Sequence, residues 1–203
     1  MAKIDSLDAL GRLYKAPSER ARLKQLDRLD RHCRRFVELS PLVILASSSP
    51  AGGADASPRG GAPGFVRVLD ERTLAIPDRP GNNRIDSLAN ILACPEVGLL
   101  FLVPGMDELL RVAGSAEIRD DAELCQSFAV GERRPATVLL VHVREAFLHC
   151  GKALMRARLW EADAKIDRAT LPSMGEMLKD QIGLTTPAET QEAMLRRYRE
   201  NLY

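Results

Sequence analysis

The sequence predicts a mainly β fold with flanking helices, built around about six short antiparallel strands. Three observations lead there. Short apolar segments recur between residues 42 and 150, separated by turns rich in Gly, Pro and Asp. One of them, Leu110–Ile118, alternates strictly, with Val112, Gly114, Ala116 and Ile118 on one side and Arg111, Ala113, Ser115 and Glu117 on the other. No strand–helix–strand rhythm runs through the chain, and neither a G-x-G-x-x-G nor a P-loop pattern occurs, which argues against a doubly wound nucleotide fold. Short antiparallel strands with one apolar face close most economically into a small barrel.

In chain order, Ser18 is placed to cap a helix running to about Leu39, with Glu19 in its first turn. Leu23, Leu26, Leu29, Cys33, Phe36 and Val37 recur at helical spacing, and Ser40-Pro41 ends the run. The other side carries Arg22, Lys24, Arg28, Arg31, Arg34 and Arg35 interspersed with acids, the pattern of a solvated face. Strands are expected at Leu42–Ser48, Phe65–Leu69, Thr73–Pro77, Val97–Val103, Leu110–Ile118 and Thr137–Val143, with a last one near Ala146–Cys150. A loop rich in Gly, Ser and Pro covers 47–64, and Asp70-Glu71-Arg72 has the spacing of a hairpin turn. A helix is expected over Asp121–Val130, and two amphipathic stretches near Ser173–Ile182 and Ala188–Leu202 flank Gly183–Pro187. The whole reads as one domain over 1–203: a helical segment at 1–40, a barrel core at 41–150 and a helical extension at 151–203.

Composition narrows the function classes. The 203 residues are 45% hydrophobic and 28% charged, ordinary values for a folded chain. A net charge of +1 and 4% aromatics give no argument for nucleic acid or an anionic membrane surface. Cys33, Cys94, Cys125 and Cys150 are widely spaced, with three histidines in all, so neither a disulfide framework nor a metal site is expected. The cysteines read mostly as buried thiols in a reducing compartment. The start, M-A-K-I-D-S-L-D, has no apolar core of signal-peptide length, and the longest apolar runs are too short to span a bilayer. A cytoplasmic protein is expected.

The segment D-R-P-G-N-N-R-I-D-S-L-A-N, residues 78–90, carries the most chemistry. Pro80-Gly81 is turn chemistry, Asn82 or Asn83 is a helix cap, and Ile85, Leu88, Ala89 and Leu92 form the buried stripe of the helix that follows. Arg79 and Arg84 bracket the turn, and Ser87 sits in the first helical turn. Backbone N–H groups, a hydroxyl and guanidinium groups converging at a helix start suit a phosphate. The same residues also read as a capped helix with two surface arginines.

The motifs S-P-R-G-G-A-P-G-F-V-R-V-L-D (Ser57–Asp70), I-P-D-R-P-G-N-N-R (Ile76–Arg84), G-L-L-F-L-V-P-G (Gly98–Gly105) and L-R-V-A-G-S-A (Leu110–Ala116) resemble a subgroup of the pyridoxamine-phosphate-oxidase-like split-barrel flavoproteins. The resemblance runs from about Arg28 to Trp160. It implies an FMN-binding, six-stranded antiparallel split β-barrel, forming a homodimer with FMN in clefts between the subunits. It further implies that Pro77 and Asp78 run along the flavin, that Arg79, Asn83, Arg84 and Ser87 hold its phosphate, and that Ser57, Pro58 and Arg59 approach the isoalloxazine ring. Arg59 is then a candidate for the positive charge near N1 that stabilises reduced flavin.

A second cluster follows the last strand. In F-L-H-C-G-K-A-L-M-R-A-R-L-W, Lys152 and Arg156 stand at i and i+4 and are candidates for the phosphate or an anionic substrate. His149 reads as a hydrogen-bonded barrel histidine, Cys150 points to the face opposite it, and Trp160 reads as packing. Arg111 either reaches the flavin or pairs with Glu117 or Asp107, and His142 reads as an interior residue. The R-L-H-D-R substrate motif of true pyridoxamine phosphate oxidases has no counterpart; M-R-A-R-L-W stands in that region. The expectation is therefore an FMN-dependent oxidoreductase of unassigned substrate, with a nicotinamide as one candidate electron donor and no catalytic acid or base singled out. A deazaflavin-dependent reductase, a non-catalytic flavin- or haem-binding module and a purely structural protein are the alternatives.

Overall fold

The structure, a computed structural model, describes residues 3–203; Met1 and Ala2, the start of the expected helical segment, lie outside them. Among the described residues seven strands form one antiparallel sheet: β1 (Leu42–Ser49), β2 (Gly53–Gly60), β3 (Arg67–Asp70), β4 (Thr73–Pro77), β5 (Glu96–Leu102), β6 (Leu109–Arg119) and β7 (Val138–His149). Their order across the sheet is β2-β1-β5-β6-β7-β4-β3.

The terminal strands β2 and β3 do not pair with each other, yet the sheet curls back on itself. From Arg59 on β2 the register passes through Val43, Phe101 and Leu110 to Leu148, near the end of β7. Arg59 nevertheless forms an ion pair with Asp78, just past β4, whose N–H donates to the Thr137 carbonyl before the start of β7 at 2.9 Å. The two sides of the sheet thus meet offset by most of the length of β7, the kind of stagger that barrel curvature requires. This is an antiparallel split barrel left open on one side.

Three elements depart from the expected layout. β2 occupies the stretch read as a loop at 47–64. Gly53, Pro58 and Gly60 are poor strand formers, but β2 is an edge strand supported on one side by β1, where such residues are tolerated. The strands expected at Thr137–Val143 and Ala146–Cys150 are one strand, β7. Its register against β6 jumps from Ala113↔Glu145 to Gly114↔Val143, leaving Arg144 as the extra residue of a bulge. The polar pair Arg144-Glu145 marks that bulge rather than a turn. Gly114 is required there, because a Cβ would fall 2.0 Å from the His142 carbonyl oxygen.

The helix expected from Ser18 to Leu39 is two, α2 (Glu19–Leu23) and α3 (Arg31–Leu39), after a short α1 (Leu7–Gly11). Ser18 does cap α2, accepting from the Ala21 N–H. The chain then leaves the helix: Leu26 exchanges backbone hydrogen bonds with Ala146 at 2.9 and 2.8 Å, and Leu29 donates to the Glu71 carbonyl. Asp30 restarts it by accepting from the N–H groups of His32 and Cys33. Leu23, counted in the apolar stripe, is exposed.

The core lies inside the curled sheet and under α3. Leu29, Cys33, Phe36 and Val37 pack with Val43, Leu45, Leu74, Ile76, Leu99, Phe101, Leu110, Val112, Leu139 and Val141. A second, smaller cluster on the far side of β4 and β7 joins Ala75 and Val138 to Cys125 and Phe128 around α5 (Ala122–Ser127). Burial lifts the Cys33 thiol, and the neighbouring Asp30 adds to it, bringing its pKa to about 12. Cys33 and Cys125 are buried, Cys94 is half-buried and Cys150 is exposed, so not all four cysteines are the interior thiols expected. His142, expected inside, is exposed on the outer face near Glu117, because Val141 and Val143 take the inward positions.

After β7 come α6 (Lys152–Ala157), two short 3-10 turns, α7 (Met174–Ile182) and α8 (Gln191–Asn201). Ser173 and Glu176 form a capping box at the start of α7, and Thr190 caps α8. Among the described residues no helix is long and apolar enough to cross a membrane.

Candidate functional site

The loop from Asp78 to Ile85 joins β4 to α4 (Asp86–Ala93), and β2 holds both of its ends. Along β2, Asp55, Ser57 and Arg59 are half-buried, while Ala54, Ala56 and Pro58 face out, the period of two of a strand with one covered face. Arg59 pairs with Asp78 at the beginning of the loop, with only 17% and 24% of their side chains exposed. At the other end the buried Ser87 hydroxyl donates to Asp55 Oδ2 at 2.6 Å. Asn90, one turn on, donates to Ser47 Oγ at 3.1 Å. The loop is therefore a bow strung across one edge strand.

Within the bow the backbone takes unusual conformations. Asn83 and Ile85 have φ of +57° and +48°. For asparagine this region is accessible; for a β-branched isoleucine it is an outlier of the sort that surrounding structure must enforce. Ile85 is the N-cap residue of α4 and offers no side-chain hydrogen bond to the first turn. The expected cap by Asn82 or Asn83 is not formed. Asn82 instead accepts from the Arg84 N–H at 3.1 Å within the turn. The expected buried stripe is also rotated: Ser87 and Ile91 face the sheet, and Ile85 and Leu92 face solvent.

The charges of the corner are unequally satisfied. Arg84 is exposed and its Nε donates to Asp86 at 2.8 Å; that hydrogen bond, then the Asp86 charge, raises its pKa further. Arg59 has Asp78. Among the described residues Arg79 has no carboxylate partner: its guanidinium lies against the Tyr203 ring at 4.9 Å, and both Nε and Nη1 are buried without a hydrogen bond. Among the described residues the buried side-chain nitrogens and oxygens lacking a partner are Arg59 Nε, Arg79 Nε, Arg79 Nη1 and Thr137 Oγ1. All four lie where β4 ends against β2 and the start of β7. Buried polar groups are nearly always paired, so this concentration leaves hydrogen-bonding capacity open to a polar ligand or to water.

The sequence-expected residues fall into two groups. Ser57, Arg59, Pro77, Asp78 and Arg79 come together at the corner, Ser87 sits at the other end of the bow against Asp55, and Asn83 and Arg84 lie on the bow between. Pro58 stands on the outward face of β2 rather than beside Ser57 and Arg59. Arg111, Lys152 and Arg156 lie elsewhere. Pro77 pairs with Val138 at one end of β7, whereas Leu109 pairs with His149 at the other, and α6 follows from there. At ~3.3 Å per residue the two ends are separated by roughly 36 Å of strand. Arg111 pairs with neither Glu117 nor Asp107; its guanidinium lies 5.6 Å from the Phe147 ring, which also receives Lys24. His149 Nδ1 lies 3.2 Å from the Cys150 carbonyl oxygen, and Trp160 donates to the Met106 carbonyl at 2.8 Å.

Sequence reasoning missed Asp55, Thr137, Arg133 and Tyr203. Asp55 shares the period of Ser57 and Arg59, a signal hidden by reading the segment as a loop. Nothing local connects Thr137 or Tyr203 to Arg79.

The sequence model of the family described as pyridoxamine 5'-phosphate oxidase matches residues 29–150, more than half of the chain. No curated protein matches. Among solved structures the chain is similar to HupZ from Group A Streptococcus (21% identity, 59% of this chain and 92% of that one, TM-score 0.48). It is also similar to a candidate pyridoxamine 5'-phosphate oxidase from Lactobacillus delbrueckii (22% identity, 61% and 98%, TM-score 0.48). A third is an FMN-binding protein from Syntrophomonas wolfei (9% identity, 58% and 88%, TM-score 0.44).

Proposed function

Because the chain belongs to the pyridoxamine 5'-phosphate oxidase family, we propose that it is an FMN-binding oxidoreductase whose cofactor phosphate sits at the Arg79 corner. The observation that carries this reading is the set of orphaned polar atoms on Arg59, Arg79 and Thr137. A phosphate supplies acceptors for the guanidinium N–H groups and the hydroxyl, and a dianion offsets the charge of Arg79, which no carboxylate among the described residues balances. Bound FMN would supply hydride and single-electron chemistry. This chain supplies capture of the phosphate by Arg79 and Thr137, and orientation of the ring side by the β2 row Ser57 and Arg59, with Asp78 fixing the Arg59 head.

We assign the second cluster, Arg111, Lys152 and Arg156, to the cofactor cleft of a second copy. Within one chain it lies at the opposite end of β7 from Arg79, so only a dimer brings the two together. The outer faces of α4 and α6, with Ile85, Leu92 and Met155 exposed, are surfaces an oligomer covers. The free cysteines suit a reducing, cytoplasmic setting.

The test is Arg79→Ala in purified protein. FMN affinity is expected to fall at least tenfold, corresponding to about 1.4 kcal/mol or more for a lost charge-assisted hydrogen bond, with the far-ultraviolet spectrum unchanged. Arg84→Ala, whose guanidinium is exposed and already paired with Asp86, is expected to lose less. Unchanged FMN affinity in Arg79→Ala would overturn the assignment.

A further inference from the structure

The carboxy-terminal segment reaches the same corner. After α8 the chain brings Tyr203 against Arg79, with 4.9 Å between guanidinium carbon and ring centroid. Arg133, from the loop between α5 and β7, lies 5.7 Å from the same ring and donates through Nη1 to the Glu200 carbonyl at 3.0 Å. The Tyr203 hydroxyl donates to the Arg134 carbonyl at 3.4 Å. Earlier in α8, Met194 is buried. The segment is thus fastened at three places, and its last ring lies within cation–π reach of two guanidinium groups.

A flat guanidinium stacked on a ring uses its face and leaves its N–H edge free. Arg79 has this arrangement: the ring contact is made, while Nε and Nη1 keep no hydrogen-bond partner although they are shielded from water. An arginine with a long flexible stem would otherwise turn its N–H groups to solvent. We infer that Tyr203 is a positioning residue of the anion site, a strap that holds Arg79 with its N–H groups directed at the phosphate, and that Arg133 holds the strap. This rests on the assignment of the phosphate to Arg79 and adds to it that the tail, outside the matched family region, is part of cofactor recognition.

The effect must be confined to the phosphate, so the readout is the ratio of FMN to riboflavin affinity, measured by fluorescence titration of full-length, flavin-free protein. In the starting protein FMN is expected to bind more tightly than riboflavin. Tyr203→Ala is expected to lower FMN affinity about fivefold, the scale of one partly shielded cation–π contact, and to leave riboflavin affinity unchanged. Tyr203→Phe keeps the ring and loses only the long hydrogen bond to Arg134, and is expected to keep most of the FMN preference. Arg133→Ala is expected to fall between the two. Should Arg79→Ala collapse the ratio while Tyr203→Ala leaves it intact, the strap is refuted and the phosphate assignment survives. Should Arg79→Ala itself leave the ratio intact, the phosphate assignment fails first. Equal losses of FMN and riboflavin in Tyr203→Ala, or a Phe variant as weak as the Ala variant, also refute the stacking role.

Discussion

Arg79 is a residue that costs the fold something. Arg79 is half-buried, and its two shielded nitrogens weaken the ligand-free protein, because their desolvation is not returned by a hydrogen bond. Arg79→Met keeps the aliphatic stem and removes the charge. The flavin-free variant is expected to be as stable as the starting protein or more stable by about 1 kcal/mol, while the rise in melting temperature on adding FMN shrinks. Thermal melts with and without FMN check both halves; a flavin-free variant clearly less stable would show that Arg79 serves structure. At this scale the sequence was a partial guide. It named Arg79 and Arg84 because they flank one turn, and Arg59 only through the family resemblance. It did not show that Asp86 and Asp78 neutralise two of them, since that depends on side-chain directions around a left-handed Ile85.

Asp30 illustrates how an element boundary is set by one side chain. Burial alone would raise its carboxyl pKa, but the hydrogen bonds from Cys33 and His32 prevail and hold it below the ordinary value. A carboxyl depressed in the folded state contributes stability above its unfolded pKa, ~3.9, and loses it as pH falls through the lower folded value. Asp30→Ala is therefore expected to cost about 1 kcal/mol at pH 7, with the deficit shrinking below pH ~4; Asp30→Asn, which still caps, keeps most of the stability. Denaturant titrations at pH 7 and at acid pH measure this, and a pH-independent deficit would assign the loss to packing instead. The boundary itself was illegible in the sequence. The apolar spacing from Leu23 to Val37 fits one helix, and what breaks it is a backbone exchange between Leu26 and Ala146, far apart in the chain. Where local patterns do decide, they were readable: β4 is Thr73–Pro77 as expected, and α7 falls in the amphipathic stretch expected near Ser173–Ile182.

For the whole molecule, the mainly antiparallel architecture followed from short alternating segments, and the family from the D-R-P-G-N-N-R run. The closure was not readable, because the offset that brings Arg59 to Asp78 accumulates over five strand pairings. The separation of Arg79 from Lys152 and Arg156 along β7 makes association the test of the complete site. Leu92, 79% exposed on the outer face of α4, is the position to probe. Leu92→Asp is expected to shift sedimentation from twice the chain mass toward the single chain and to lower FMN occupancy in parallel, with secondary structure intact. A variant that sediments as the starting protein would move the contact elsewhere.

An open sheet also leaves two raw rims, each able in principle to recruit a stranger's backbone into a growing fibril. Here one rim is β3, only four residues long, and the other is β2, interrupted by Pro58 with no amide hydrogen to offer and bounded by Gly53 and Gly60. The same proline that makes β2 hard to foresee therefore protects the unbound chain from templated misassembly while its cleft stays accessible.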